Sequence, residues 1–358
     1  MGTVGIAKAI IAKRRPNEAN NLSYPSGHTA ASFSGASFLQ TRYGAAYGIP
    51  AYAAAFFVGY SRMAADHHYG DDVLAGASVA LLYNFALVRK YPEKLSFKVT
   101  KQPQMGYALG FNYRPDLEEP WFQDEPDVAP AQFRFIAEFS ATGTTSALFQ
   151  APSDTGDPVE LDRDFGNVDE PVPSTYVQLQ WFIDDRHQLD LILNPFEERD
   201  NGTFDEDKSF GGQVFPADTN TKSAYAVYFM RLRYRYNLFP NSRWVVKPAI
   251  GLTLSYWSAS LVSDAGPAAE EDTWDFMGVV GVLVGYKIGE KWSIMGEVDG
   301  FYVHDGHFVD TSVWVGWQFG IQWELRLGIR YLDQEVDVSN FKGRLEQNRA
   351  YLAFAFRW

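Results

Sequence analysis

The stretch Ser61-Arg62-Met63-Ala64-Ala65-Asp66-His67-His68-Tyr69-Gly70-Asp71-Asp72 holds an arginine, a histidine six residues later and an aspartate four residues beyond that. If the stretch is helical, His68 and Asp72 share a face, because side chains at i and i+4 are neighbours. The carboxylate then accepts from one ring nitrogen and leaves the other aimed at a substrate, the orienting logic of a catalytic His–Asp pair. Arg62 adds fixed positive charge. A nucleophilic imidazole beside a guanidinium suits phosphoryl transfer, where stabilising an anion carries most of the catalysis. His67 and Asp71 fall out of register with the pair and read as bystanders.

Two upstream stretches offer matching chemistry. Pro25-Ser26-Gly27-His28-Thr29 opens a small-residue run, and Ser26 is the expected N-cap of a helix reaching about Arg42. The N–H groups of Gly27 and its neighbours would point at an anion, which Gly27 lets approach closely. His28 stands where it could give a proton to a leaving oxygen, although alone it reads equally as a surface histidine on a capped helix. Lys8, Lys13, Arg14 and Arg15 precede Pro16. A helix over Gly5–Lys13 would put Lys8 and Arg15, two turns apart, on one face. By itself such a run is as well explained as a solvated basic helix end.

The elements that must position these groups are two uncharged apolar runs, Gly44–Tyr60, broken by Pro50, and Val73–Val88. Both fall short of the about 20 residues of a membrane span, so buried core helices are expected, with short or tilted membrane helices as the alternative. The chain has 358 residues, a net charge of −13 and no cysteine, which excludes disulfides and thiolate metal sites. Residues 1–92 carry eight Lys/Arg against four Asp/Glu, so the acidity lies wholly in the remainder. The acidic total argues against nucleic acid as a partner, and the basic portion is where an anionic substrate is expected. Residues 2–12 do not read as a secretory signal: Lys8 interrupts them and no charged leader precedes them. Since the second half looks exported, further sequence is expected ahead of this N-terminus.

Taken together, Lys8 with six residues before Arg15-Pro16, then Pro25-Ser26-Gly27-His28, then Ser61-Arg62 with five residues before His68 and three before Asp72, resemble the three-part signature of the type 2 phosphatidic acid phosphatase and vanadium haloperoxidase superfamily. The resemblance covers about residues 1–90. It implies a helical bundle, here lacking the helices that the family places before its first motif. It implies that His68 attacks phosphorus to form a phosphohistidine, that Asp72 orients it, and that His28 protonates the leaving group and later activates water. Lys8, Arg15, Arg62 and the backbone of Ser26 and Gly27 would hold the phosphate oxygens. No metal or other cofactor is expected for phosphatase work; vanadate would be required only for the haloperoxidase alternative. The short segment between Pro16 and Pro25 leaves little room for a lid.

Prolines at 92, 103, 115, 120, 126 and 130 mark residues 93–130 as a linker. Alternation at Leu95, Phe97, Val99 and again at Met105 to Tyr113 allows a weak hairpin within it. From residue 131 the hydrophobic period is two. Ten strands are expected, at 131–141, 175–184, 187–196, 222–238, 243–260, 274–288, 291–303, 310–321, 323–335 and 348–358; the hairpin would raise the number to twelve. Long strands, Tyr and Trp at strand ends, and short turns alternating with long loops predict an antiparallel transmembrane β-barrel. The terminal Leu352-x-Phe354-x-Phe356-x-Trp358 resembles the C-terminal signal of bacterial outer-membrane barrels, implying the barrel-assembly machinery as a partner during biogenesis. Arg231, Arg233, Arg235, Lys247, Glu297, Asp299, Glu324, Arg326 and Arg330 would fill the interior as ion pairs, leaving little room for a channel.

The expected protein therefore has two domains, a partial all-α bundle (1–92) and a barrel (131–358). The even strand number puts residue 93 on the short-turn, periplasmic side, with the bundle tethered beneath the outer membrane of a Gram-negative bacterium. The expected activity is hydrolysis of phosphomonoesters or diphosphates, plausibly of lipids. The alternatives are vanadate-dependent halide oxidation, and a barrel for transport or adhesion with an inert helical part.

Overall fold

The structure is a computed structural model that describes residues 2–88, 95–102, 106–113, 132–165 and 171–358. Four helices come first: α1 (Gly2–Ile11), α2 (Gly27–Tyr43), α3 (Ala45–Ala64) and α4 (Gly70–Leu87). The helix expected through Lys13 ends sooner, because Ala12 turns the chain at φ 51°. Ser26 caps α2 as expected, its Oγ accepting from Thr29 N at 3.4 Å. Gly44, at φ 85°, ends α2 and donates to Gln40 O at 3.0 Å. The expected break at Pro50 is absent: α3 runs through it, since a proline near a helix start forfeits a single ladder bond. The long helix imagined across Ser61–Asp72 is also absent, because α3 stops at Ala64 and α4 starts at Gly70. Phe33, Ala36, Ala55, Ala77 and Ala80 form the small core of α2, α3 and α4. The crossing is close enough that a Cβ on Gly76 would lie 2.4 Å from Ser26 O.

A hairpin of β1 (Leu95–Gln102) and β2 (Gly106–Tyr113) follows and pairs with no other strand among the described residues. Residues 114–131, the rest of the expected linker, lie outside the described residues. The long strand β3 (Phe133–Gln150) leads to a loop holding β4 (Val159–Glu160) and α5 (Leu161–Phe165). Then come β5 (Val172–Phe182) and β6 (His187–Thr203), a loop hairpin of β7 (Lys208–Phe210) and β8 (Gln213–Phe215), and β9 (Asn220–Tyr236). The series ends with β10 (Trp244–Ser263), β11 (Ala268–Ile288), β12 (Trp292–Val303), β13 (Gly306–Gln318), β14 (Trp323–Val338) and β15 (Phe341–Arg357). Neighbours pair antiparallel in the order β3-β5-β6-β9-β10-β11-β12-β13-β14-β15, and β15 pairs back to β3. The ring thus closes with ten strands; the first hairpin stays outside it.

Closure satisfies every strand edge, a requirement for backbone in a bilayer. The outer surface is apolar and exposed, as at Leu232, Ile250, Val280, Leu327 and Ile329. Aromatic rings border it at two levels. At the short-turn end Trp181, Phe133 and Trp358 stack in sequence, and Trp323, Phe319, Trp317 and Trp292 continue the belt. Toward the long loops, Tyr228, Tyr256 and Trp274 lie side by side on β9, β10 and β11. From Tyr236 to Tyr228 the strand climbs roughly 27 Å at about 3.3 Å per residue, near 20 Å of height at the usual tilt of about 40°. An apolar band between aromatic girdles is the surface of a transmembrane barrel.

The interior is filled. Arg231 pairs with Asp299 and Asp310 at 2.9 and 3.0 Å, and Arg235 and Arg233 reach Asp190 at 2.7 and 3.1 Å. Arg330 bridges Glu138 and Asp310 at 3.0 and 2.7 Å, and Glu297 joins Arg233 to Arg235. Above this layer Phe149, Phe204, Phe210, Phe215, Trp257 and Phe341 form an apolar plug under the long loops. A polar vestibule of about 860 Å³ opens at the short-turn end, with Arg134, Lys247, Glu297 and Arg326 in its wall.

The helices do not hang below the barrel as expected. Leu74, Leu81, Leu82 and Phe85 of α4 pack on Phe135, Ala137, Phe139 and Val177, which point outward from β3 and β5. Phe85 stacks on Phe356 at 4.6 Å and on Trp358 at 5.1 Å, at the short-turn belt. Gly70, at the other end of α4, lies against Pro195 and Tyr228 at the second belt. The helix therefore runs up the wall over most of the apolar band. The physical reason is the apolar face of α4, which the barrel's apolar wall buries and a short-turn rim of charged loops would not. No helix among the described residues is long and apolar enough to cross a membrane.

The filled lumen predicts an electrically silent barrel. Purified protein in planar bilayers should give no steady single-channel current; a sustained open level would show that the ion-pair layer and the aromatic plug do not close the pore.

Candidate active site

Asp72 stands at N3 of α4, buried, and its carboxylate gathers the site. Its Oδ2 accepts from Tyr69 N at 2.9 Å and from the Ser23 hydroxyl, and its Oδ1 lies 3.2 Å from Lys13 Nζ. Its backbone carbonyl accepts from Ser26 N at 2.8 Å, tying the start of α2 to the start of α4. His68 sits in the turn between α3 and α4, with Nδ1 3.6 Å from Asp72 Oδ2. The i,i+4 pair forms, but across a helix N-terminus instead of along a helix face. Arg62 O holds the turn, accepting from His67 N at 3.0 Å and His68 N at 3.3 Å. At 3.6 Å Asp72 acts on the ring mainly through charge.

The cations converge from three stretches. Lys8 Nζ donates to Ser23 O at 3.2 Å and to Leu22 O. A Cβ on Gly27 would touch Lys8 Cε at 3.8 Å, so Lys8 borders the first turn of α2. Arg15 leaves α1 and sits in a loop, not on one helix face with Lys8; Asn20 O and Asp66 O fix that loop by accepting from Arg15 N and Asn17 N, each at 3.0 Å. The positive charges of Lys8 and Arg15 act on His68, and those of Arg62, Arg15 and His28 on His67. The Nε atoms of Arg15 and Arg62 are buried with no hydrogen-bond partner among the described residues. Buried donors left unpaired are costly, and an anion accepting from them would remove that cost. Ser26 is buried and His28 exposed, at the first turn of α2. Each residue expected at the site thus lies on one of the three stretches that meet here.

Two expectations are corrected. Asp71 is no bystander: it is buried, and both its oxygens accept from Lys13 Nζ at 2.8 Å. His67 accepts at Nδ1 from Asn17 Nδ2 at 2.9 Å, fastening the basic loop to the catalytic turn. The sequence reading also missed Lys13, Ser23 and Tyr69. Lys13 looked like one of a solvated basic run; instead it is buried between two carboxylates and lies 4.4 Å above the Tyr69 ring. Two adjacent aspartates beginning an apolar helix were the available signal, since two buried carboxylates need a buried cation.

Electrostatics follow from burial. Burial lowers the His68 pKa below its ordinary value; Asp72 opposes the shift, and Lys8 and Arg15 add to it. The ring is thus neutral, with a lone pair to donate, at and below neutral pH. Burial alone would raise the Asp72 pKa, but Lys13 and the hydrogen bonds to the carboxylate hold it down. Burial, then repulsion from Arg15, lower the Lys8 pKa to about 8.

Polar latches pin the catalytic turn to the barrel at its long-loop half. Asp66 pairs with Arg199 of β6 at 2.9 Å, Tyr24 meets Thr175 Oγ1 of β5 at 2.7 Å, and Tyr228 donates to Glu197 at 2.8 Å beside them.

Residues 4–96 match the model of the PAP2 superfamily. A lipid A 1-phosphatase of Porphyromonas gingivalis is 33% identical over 112 residues, covering 29% of this chain and 25% of that protein. The chain thus spans about a quarter of the length of the curated relative it matches. Similar solved structures include the outer membrane protease OmpT of Escherichia coli, at TM-score 0.43 and 9% identity over 64% of this chain and 98% of that one. Another is the translocator domain of the autotransporter NalP from Neisseria meningitidis, at TM-score 0.37 and 9% identity, covering 63% and 89%.

Activity on a phosphate ester should fall on both sides of neutrality. On the acid side it is present above the lowered His68 pKa and lost as pH falls through it, so this limb should lie below the ordinary histidine value of about 6.5. On the alkaline side Lys8 loses its charge through about pH 8, so KM should rise there with little change in kcat. A pH profile of both parameters checks this. Separately, Lys13→Met should destabilise the helical segment by about 3–5 kcal/mol, because two buried carboxylates lose their cation. Adding Asp71→Asn should recover part of that loss, as read by the temperature at which the helices become protease-sensitive.

Proposed function

We propose that residues 4–96, a PAP2 superfamily domain, hydrolyse a lipid phosphate at the surface of the outer membrane that the barrel spans. The observation that carries this reading is the meeting of the His68–Asp72 pair with two buried, unpartnered arginine Nε atoms at the capped start of α2. That is a nucleophile beside an unfilled oxyanion cradle. The family match and the lipid A 1-phosphatase relative point the same way.

The reaction runs in two displacements. Nε2 of neutral His68 attacks phosphorus and the bond to the leaving oxygen breaks. His28, protonated, gives its proton to that oxygen. Asp72 stabilises the positive charge that develops on the His68 ring. Lys8, Arg15, Arg62 and the N–H groups at Ser26 and Gly27 hold the three remaining oxygens as negative charge builds on them. In the second half His28, now neutral, takes a proton from water, whose oxygen attacks phosphorus; the N–P bond breaks, inorganic phosphate leaves and both histidines regain their starting forms. The barrel's role in this reading is to anchor and position, since its lumen is filled. By the outer-membrane pattern the short-turn end faces the periplasm. The catalytic turn sits near Glu197 and Arg199, toward the other end, so we place the site at the membrane surface beside the long loops and not in the periplasm beneath the barrel.

His68→Ala should lower kcat for p-nitrophenyl phosphate about a thousand-fold or more. His28→Ala should still become phosphorylated by this substrate, whose leaving group needs little protonation, and should accumulate an alkali-stable, acid-labile phosphoenzyme. Wild-type activity in His68→Ala, or label on another residue, would overturn the mechanism.

A further inference from the structure

An apolar groove of about 560 Å³ runs along the seam between the helices and the barrel wall. Its helical side is formed by Phe56, Tyr60 and Met63 of α3 and by Gly70 and Val73 of α4. Its barrel side is formed by outward residues of β9, β10 and β11, among them Met230, Leu254 and Trp274. Its size falls within the range of about 300–1000 Å³ usual for small-ligand sites. Three features say what it takes. The barrel side lies between the aromatic belts, a surface that meets lipid chains. Phe56 and Tyr60 are about two-thirds exposed, at 65% and 67%, on helices packed beside that surface, where water would make such exposure costly. Finally, two groove residues belong to the Ser61–Asp72 stretch itself: Met63 follows Arg62, and Gly70 is two residues beyond His68.

We infer that this seam is the acyl-chain subsite of the enzyme, built jointly by the helices and the barrel wall, and that the substrate enters it sideways from the leaflet nearest the long loops. The belt residues Tyr228, Tyr256 and Trp274 mark the depth at which head group and chain part. The barrel thus contributes substrate contacts as well as an anchor. The proposal rests on the lipid phosphatase reading and extends it to a surface outside the PAP2 segment.

The test uses the full chain in detergent micelles and in phospholipid vesicles. Met230→Trp and Leu254→Trp fill the groove from the wall and change no residue of the catalytic stretches. Each should lower kcat/KM for dioleoyl phosphatidic acid about ten-fold or more and leave p-nitrophenyl phosphate hydrolysis within two-fold. Unchanged lipid hydrolysis in both variants would overturn the subsite. If a variant loses both activities or fails to insert, the wild type decides: kcat/KM should climb from dibutyryl to dioleoyl phosphatidic acid at equal surface presentation, and a flat series would overturn the subsite. If the wild type hydrolyses neither substrate, the phosphatase reading has failed. The groove is then tested by binding, with phosphatidic acid carrying a photoreactive acyl chain. Crosslinks on Tyr60, Met63, Met230 and Leu254 would support the groove, and labelling spread evenly around the barrel would overturn it.

Discussion

One buried carboxylate joins the parts of the catalytic segment. Asp72 receives Ser23 and Tyr69, faces Lys13 and His68, and through its carbonyl holds the first residue of the α2 cap. These partners come from the basic loop, the segment before Pro25 and the turn between α3 and α4, which Asn17–His67 and Lys13–Asp71 also tie together. Taking Lys13 and two aspartates out of water is expensive, and such clusters at best break even against an apolar core. What the cluster provides is position. With Asp72 fixed, its carboxylate lies 3.6 Å from His68 Nδ1, and the Nε atoms of Arg15 and Arg62 are buried with no hydrogen-bond partner among the described residues.

The second constraint is the apolar face of α4. Its helix is not long and apolar enough to cross a membrane, and its apolar face packs on a surface that is itself apolar. The barrel wall supplies one because its outward positions must suit lipid chains while its inward positions hold ion pairs. The result is a catalytic unit lying along a membrane protein, with latches such as Asp66–Arg199 setting its height. In the proposed function, that height links packing to chemistry: it would bring the candidate phosphate site near the belt where a lipid's head group sits.

The barrel was legible almost in full from its period of two. All ten strands appear where the alternation places them, and they run longer at several ends, as in β3, β6 and β11. Strand ends above the membrane lose the alternation because both faces there meet water or loops. The candidate site residues could be picked out because phosphoryl chemistry needs particular residue types at particular separations, and the structure brings their three stretches together. The local shape around it was not. Three stretches read as helix or break, at Lys13, Pro50 and Ala65–Tyr69, came out otherwise, since φ at Ala12 and Asp66 and the tolerance of an early proline depend on what the chain packs against.

The sequence by itself determined which residues carry groups suited to phosphoryl chemistry, the two-part architecture and the alternation of inward and outward strand positions, because each is written in residue type and spacing. Only the tertiary structure decided that Lys13 is buried while Arg14 stays exposed, that Asp71 is a partner in the core, and that the helices lie beside the barrel instead of beneath it. Those outcomes depend on which surfaces meet. Burial is a property of contacts between distant segments, and no local pattern in the chain records the partner that will cover it.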